Sequence, residues 1–280
     1  MTKTCLLDDF ASTLVPPPLQ TRKGPTAIAV THLSFAYPEQ PEVLHQLNLT
    51  IASGERVALV GENGCGKTTL FSLLCGVLTP TNGQIHLFEQ RLQPGRFYPE
   101  VGLIFQNPSD QLFSASVWED VAFGLQNLGY PPAMVAQQVD AALRQTGVLD
   151  LAERPPHHLS GGQKKRVAIA AILAMQPQIL LLDEPTAQLD PRSRRQLIQL
   201  LAKLPQTQVI ATHDLDLALE LCDRTILLSR GAIVYDGPTF PVLSNASFLE
   251  HHALELPLSY RRPYCDLCDA PDSVSLAEAT

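Results

Sequence analysis

The run Gly61-Glu62-Asn63-Gly64-Cys65-Gly66-Lys67-Thr68-Thr69 stands directly behind the apolar stretch Arg56-Val57-Ala58-Leu59-Val60. The spacing G-x-x-x-x-G-K-[ST] after such a stretch predicts a strand, a glycine-rich loop and a helix in that order. A phosphate chain needs backbone N–H groups from several directions, and side chains at the turn would block them. Gly61, Gly64 and Gly66 leave that space and permit unusual dihedrals. A helix opening at Lys67 turns free N–H groups and the positive end of its dipole toward an anion. Lys67 adds a point charge, and Thr68 a hydroxyl suited to Mg²⁺.

A second signal is Ile179-Leu180-Leu181-Leu182-Asp183-Glu184. Four apolar residues predict a buried strand, and two carboxylates emerge at its carboxyl end, where open α/β sheets bind ligands. Asp183 is placed to complete a Mg²⁺ shell, through water. Glu184 is placed to take a proton from a water attacking a γ-phosphate. The third signal is Leu159-Ser160-Gly161-Gly162-Gln163, followed by Lys164-Lys165-Arg166 and an apolar helix. A serine and two glycines before a helix read either as a second anion site or as an ordinary N-cap.

Length and composition narrow the setting. With 280 residues, 45% hydrophobic and 17% charged, the chain can bury an ample core. A formal net charge of -8 argues against nucleic acid as the main partner. No stretch approaches the ~18 apolar residues of a membrane span, and acidic Asp8 and Asp9 are unlike a signal peptide. The six scattered cysteines fit reduced thiols better than a disulfide framework.

Along the chain, residues 1–26, with Pro16-Pro17-Pro18, read as a disordered extension. Strands are expected at Ala27–Tyr37, Gln46–Ile51, Gln84–Phe88, Val101–Phe105, Ile179–Asp183, Val209–Thr212 and Thr225–Ser229. Helical spacing runs from Val117 to about Leu151, broken at Pro131-Pro132, and again over Val167–Met175 and Arg192–Leu204. Strands alternating with helices imply an α/β fold with a covered parallel sheet.

Gly61 to Thr69, Leu159 to Gln163, Asp183-Glu184 and His213-Asp214, in that order, together resemble an ATPase subunit of the ABC transporter family. The resemblance covers roughly Ala27 to Leu258. It implies a RecA-like parallel sheet core with an N-terminal antiparallel β subdomain and an inserted helical subdomain at about 107–165. The nucleotide-binding domain would span 27–239, leaving 240–280 as a short C-terminal extension and tail. It also implies a head-to-tail pair, of identical or related subunits, in which each serine-glycine loop closes over the γ-phosphate held by the other. On that pattern Gly61, Glu62, Asn63, Gly64, Cys65, Gly66, Lys67, Thr68 and Thr69 wrap ATP. Ser160, Gly161, Gly162 and Gln163 contact the partner's ATP, and Asp190 is the inter-subunit aspartate.

Tyr37 holds the position of the family's adenine-stacking aromatic. Gln106 matches the glutamine lever that touches Mg²⁺ or water and senses the membrane partner, while Thr68 and Asp183 complete the metal set. His213 matches the histidine on the γ-phosphate, so that Lys67, Gln106, Glu184 and His213 form the catalytic group. Phe105 to Phe113 and Glu119 to Gly124, with Gly162 to Ala170, are similar to energy-coupling-factor ATPases that drive uptake of cobalt, nickel or vitamins. This implies transmembrane transporter subunits as partners, no nucleic acid, and a peripheral place on the cytoplasmic face of the cell membrane.

Two readings compete with the transport motor. A soluble relative acting on nucleic acid or ribosomes commonly carries a coiled-coil insert or two ATPase units, and this acidic chain has neither. A non-catalytic subunit would show an altered Glu184, His213 or serine-glycine loop, and all are intact. Three places depart from the family pattern. Cys65 fills a slot usually held by a small hydroxyl or alanine, and beside a helix N-terminus and a lysine its pKa is expected to be depressed. Gln188 replaces a usually small residue. Cys265-Asp266-Leu267-Cys268, with His251-His252 upstream, is a single CxxC pair that reads as an incidental tail.

Overall fold

The computed structural model describes residues 24–260; nearly all of the N-terminal extension and the Cys265–Cys268 pair lie outside them. β1 (Thr26–Ala36) and β2 (Glu42–Ala52) form an antiparallel pair, and the turn at Gly54 leads into β3 (Arg56–Val60). The glycine loop follows, then α1 (Lys67–Leu74), which opens at the expected lysine. β4 (Asn82–Leu87), β5 (Gln90–Arg91) and β6 (Val101–Ile104) come next. α2 (Val117–Asn127) and α3 (Pro132–Thr146) divide at the two prolines. Pro132 starts α3, where a missing N–H costs nothing, and Gly147 (φ 66°) ends it.

α4 (Gly161–Leu173), β7 (Ile179–Asp183), α5 (Pro191–Lys203), β8 (Thr207–Ala211), α6 (Leu215–Leu221), β9 (Arg224–Ser229) and β10 (Ala232–Pro238) complete the core, with α7 (Thr239–Leu243) and α8 (Ala246–His251) after them. The order β2-β1-β4-β5 makes a small antiparallel sheet. The larger sheet runs β10-β9-β3-β8-β7-β6, parallel except at β10.

Burial explains the apolar runs. Val57 and Leu59 face a cluster that holds α1 and the antiparallel sheet, while Ala58 and Val60 face one built from α5 to α8. All five residues of β7 are buried, as a strand covered on both faces requires. A third cluster joins α2, α3 and α4. Val242, Leu243 and Leu249 of the segment after 240 are buried in the second cluster.

Two boundaries moved for local reasons. β2 begins at Glu42, four residues before the expected start, because Gln46 (φ 45°) interrupts the alternation. α4 begins at Gly161 rather than near Val167. Ser160 accepts from the Gln163 amide while the Gln163 side chain accepts from the Ser160 amide, a capping box that starts a helix on two poor helix formers. The parallel strands β3, β6, β7 and β8 all end on one side. Their carboxyl ends deliver Gly61, Gln106, Glu184 and His213 to the same edge.

Candidate active site

In the loop, Gly64 (φ 82°) and Gly66 (φ 108°) take left-handed conformations that side chains resist. Gly61 is constrained by space instead, since a Cβ there would collide with the Leu228 carbonyl. Gly66 caps α1 with no side chain, leaving the first-turn N–H groups to an incoming group. Lys67 Nζ donates to the carbonyls of Gly61 (2.8 Å) and Glu62 (3.0 Å), which holds its charge inside the loop.

Cys65 does not match the expected reactive thiol. It is 3% exposed, with Sγ 3.9 Å from Lys67 Nζ. Burial pushes its pKa up, and the nearby ammonium offsets this only in part. Desolvation of a thiolate outweighs the attraction of the lysine at that distance.

At the end of β7, the Thr68 hydroxyl donates to Asp183 Oδ2 at 2.8 Å. Burial raises the Asp183 pKa; Thr68 opposes this, and the Glu184 carboxylate adds to it. Glu184 is buried beside it, 2.8 Å from His213 Nδ1. Glu184 also accepts from the Thr212 hydroxyl and the His213 amide, each at 3.3 Å. Its backbone (φ 46°) is left-handed, a strain of about 1–3 kcal/mol of the kind found where side chains must be aimed. His213 is well exposed at the rim.

These groups line one cavity of about 330 Å³ that contains Asn63, Gly64, Gly66, Lys67, Thr68, Thr69, Gln106, Asp183, Glu184 and His213. Thr68, Asp183 and Gln106 present oxygen donors to the same space, a set that suits Mg²⁺ better than a softer metal. Tyr37 is not among the lining residues; its hydroxyl lies 3.2 Å from Thr69 Oγ1 and its ring meets Phe35 edge-on at 4.9 Å. Ser160 to Gln163 lie outside the cavity, at the start of α4. Asp190 also lies outside, accepting from the Arg192 and Ser193 amides as the cap of α5. Gln188 has φ 62°, so a small residue is easier there than a glutamine.

Three contributors carried no mark in the sequence. Thr212 bridges Glu184 and the Asp214 amide. Arg194 pairs with Asp214 and Glu220, each at 2.8 Å, behind His213. Lys165, 1% exposed, donates to the carbonyls of Gln106 (2.6 Å) and Phe105 (3.2 Å). Burial pulls its pKa down to about 8, against the pull of Asp183 and Glu184. A charge run next to a helix start reads as solvated surface, which hid Lys165.

Comparison with known proteins gives a consistent result. Residues 44–187 match the family model described as ABC transporter. A Synechocystis sp. chain, provisionally named an ABC transporter ATP-binding protein, is 53% identical over 237 residues, covering 85% of this chain and 84% of the relative. The energy-coupling factor transporter ATP-binding protein EcfA of Methanothermobacter thermautotrophicus is 40% identical, covering 82% of this chain and 76% of that one. The solved structure of CbiO1 from Clostridium perfringens, part of the ABC transporter complex CbiONQ, superposes with a TM-score of 0.73 at 37% identity. That match covers 81% of this chain and 94% of the other.

Proposed function

The chain belongs to the ABC transporter family of ATP-binding proteins, and from that premise we propose that it is the ATP-hydrolysing motor of a membrane importer of the energy-coupling-factor type, for cobalt, nickel or another micronutrient. The convergence of Lys67, the Thr68–Asp183 pair, Gln106, Glu184 and His213 on one cavity carries the reading. The loop amides and Lys67 bind the triphosphate as a charge-matched cradle. Thr68, Asp183 and Gln106 would hold Mg²⁺, whose chemistry is to neutralise charge on the phosphates. Glu184, oriented by Thr212 and His213, accepts the proton of the attacking water, and His213 steadies the charge on the transferred group.

The serine-glycine loop lies outside that cavity, which supports a second subunit closing head to tail over the phosphates. An exposed aromatic patch supports a transmembrane partner: Phe113 and Phe123 meet edge-on at 4.9 Å, and both are exposed, as is Phe105 beside Gln106. No helix among the described residues is long and apolar enough to cross a membrane. A peripheral position on the cytoplasmic face fits a motor whose partners hold the membrane segments.

Glu184→Gln tests the assignment. The variant should bind ATP, accumulate as a closed dimer in gel filtration, and lose phosphate release by about 10²-fold or more. Retained hydrolysis removes Glu184 from the role of base.

A further inference from the structure

On the paired-subunit reading, α4 points its first turn at a partner's nucleotide, and its next turns are fastened to the backbone beside the subunit's own cavity. That first turn carries Ser160 to Gln163, at the start of the helix. Five residues after Ser160, Lys165 is buried with its ammonium on the carbonyls of Phe105 and Gln106. A second tie runs the other way. Gln111 Oε1 accepts from the Phe105 amide (3.3 Å) while its Nε2 donates to the Ala168 carbonyl of α4 (3.1 Å). Farther along, α4 presses onto β6 itself, since a Cβ on Gly102 would collide with Ile172.

The backbone that carries Gln106 is therefore fastened to α4 at both of its peptide edges. A buried ammonium with two carbonyl acceptors is costly to detach. α4 cannot shift its Ser160 end without carrying Phe105 and Gln106. Resting on the paired-subunit reading above, we propose that Lys165 and Gln111 are positioning residues that make α4 a rigid connector. Engagement of Ser160 with the partner's ATP then sets Gln106 in the subunit's own site. The two ATP sites are coupled through one helix in each subunit, and neither Lys165 nor Gln111 touches nucleotide.

The test uses the full-length protein and two single variants. Lys165→Met keeps the volume and removes the donor; Gln111→Leu removes the other tie at a half-buried position, in case the lysine variant fails to fold. Binding of a fluorescent ATP analogue, steady-state hydrolysis as a function of ATP, and thermal unfolding are measured for each. We expect wild-type protein to hydrolyse ATP with a Hill coefficient above 1.5. Each variant should bind the analogue within about threefold of wild type, lose kcat by about tenfold, and show a Hill coefficient near 1. A merely structural role would lower the melting temperature while leaving the Hill coefficient of the folded fraction unchanged, and that result overturns the proposal. Variants that retain kcat and cooperativity overturn it as well. Wild-type hydrolysis without cooperativity overturns the paired-site reading, and the proposal falls with it.

Discussion

In the phosphate loop, the Cys65 thiol sits against Gly61 and is buried under the turn it helps to form. A thiol shielded from water keeps its proton even with an ammonium 3.9 Å away, because a thiolate there would lose solvation that one partial neighbour cannot replace. Its folded pKa lies above that of the unfolded chain. The stability linked to that proton is present below the ordinary thiol range and is lost as pH rises through the folded value. Iodoacetamide at pH 8 should therefore modify Cys65 at least about tenfold more slowly in folded protein than in denaturant, read by mass spectrometry of its peptide. Equal rates would show an open, activated thiol. Glu184 illustrates the opposite arrangement. There, three oriented contacts and a left-handed backbone hold a carboxylate where chemistry needs it, at a cost in local strain.

Among the elements, α4 joins the most functions. Ser160 is both its N-cap and the proposed contact for a partner's phosphate, and two substitutions separate the roles. Ser160→Ala removes the cap and should cost about 1 kcal/mol, lowering the melting temperature by about 2–4 °C for a chain of this size. Ser160→Asp retains a good cap and adds a charge that the helix dipole favours, so its melting temperature should stay close to wild type. On the proposed pairing that carboxylate would face an anion, so ATP-driven dimerisation, followed by light scattering, should disappear. Dimerisation at wild-type ATP concentrations would place Ser160 away from the phosphate. α4 also marks the limit of periodicity as a guide. Its apolar face over Val167 to Leu173 was legible, but its first turn of glycines was not, because the capping box rather than helix propensity starts it. The first four residues of β2 were illegible for a similar local reason, since one left-handed residue inside the strand, Gln46, interrupts its alternation. α6 is a seven-residue helix started by Asp214 accepting from the Leu217 amide, too short to show a period.

At the scale of the whole molecule, the parallel core and the convergence of four strand ends were legible, because Gly61, Gln106, Glu184 and His213 each follow an unbroken apolar run. What joins the two sheets was not, since it depends on side chains far apart in sequence. Arg224 on β9 is 5% exposed. It binds both oxygens of Asp236 on β10, at 2.6 and 2.7 Å. It also reaches Glu55 (2.9 Å) and the Thr50 carbonyl of β2 (3.0 Å), which ties the small sheet to the large one. Nearby, the His45 amide donates to the Gly231 carbonyl along the same seam. Removing the cation leaves two carboxylates and a carbonyl in a place with little water, and breaking a buried pair this way costs about 3 kcal/mol. Arg224→Met, which keeps most of the side-chain volume, should lower the melting temperature by about 6–12 °C. Losing the neutralising cation between the two carboxylates would account for most of that drop. Adding Glu55→Gln and Asp236→Asn to Arg224→Met should therefore recover more than half of it, although two more native contacts are deleted. ATP hydrolysis by the folded fraction at 25 °C should be unchanged in both proteins, because the seam lies away from the cavity. If the triple variant is instead the least stable, the network stabilises through its hydrogen bonds rather than by neutralising buried charge.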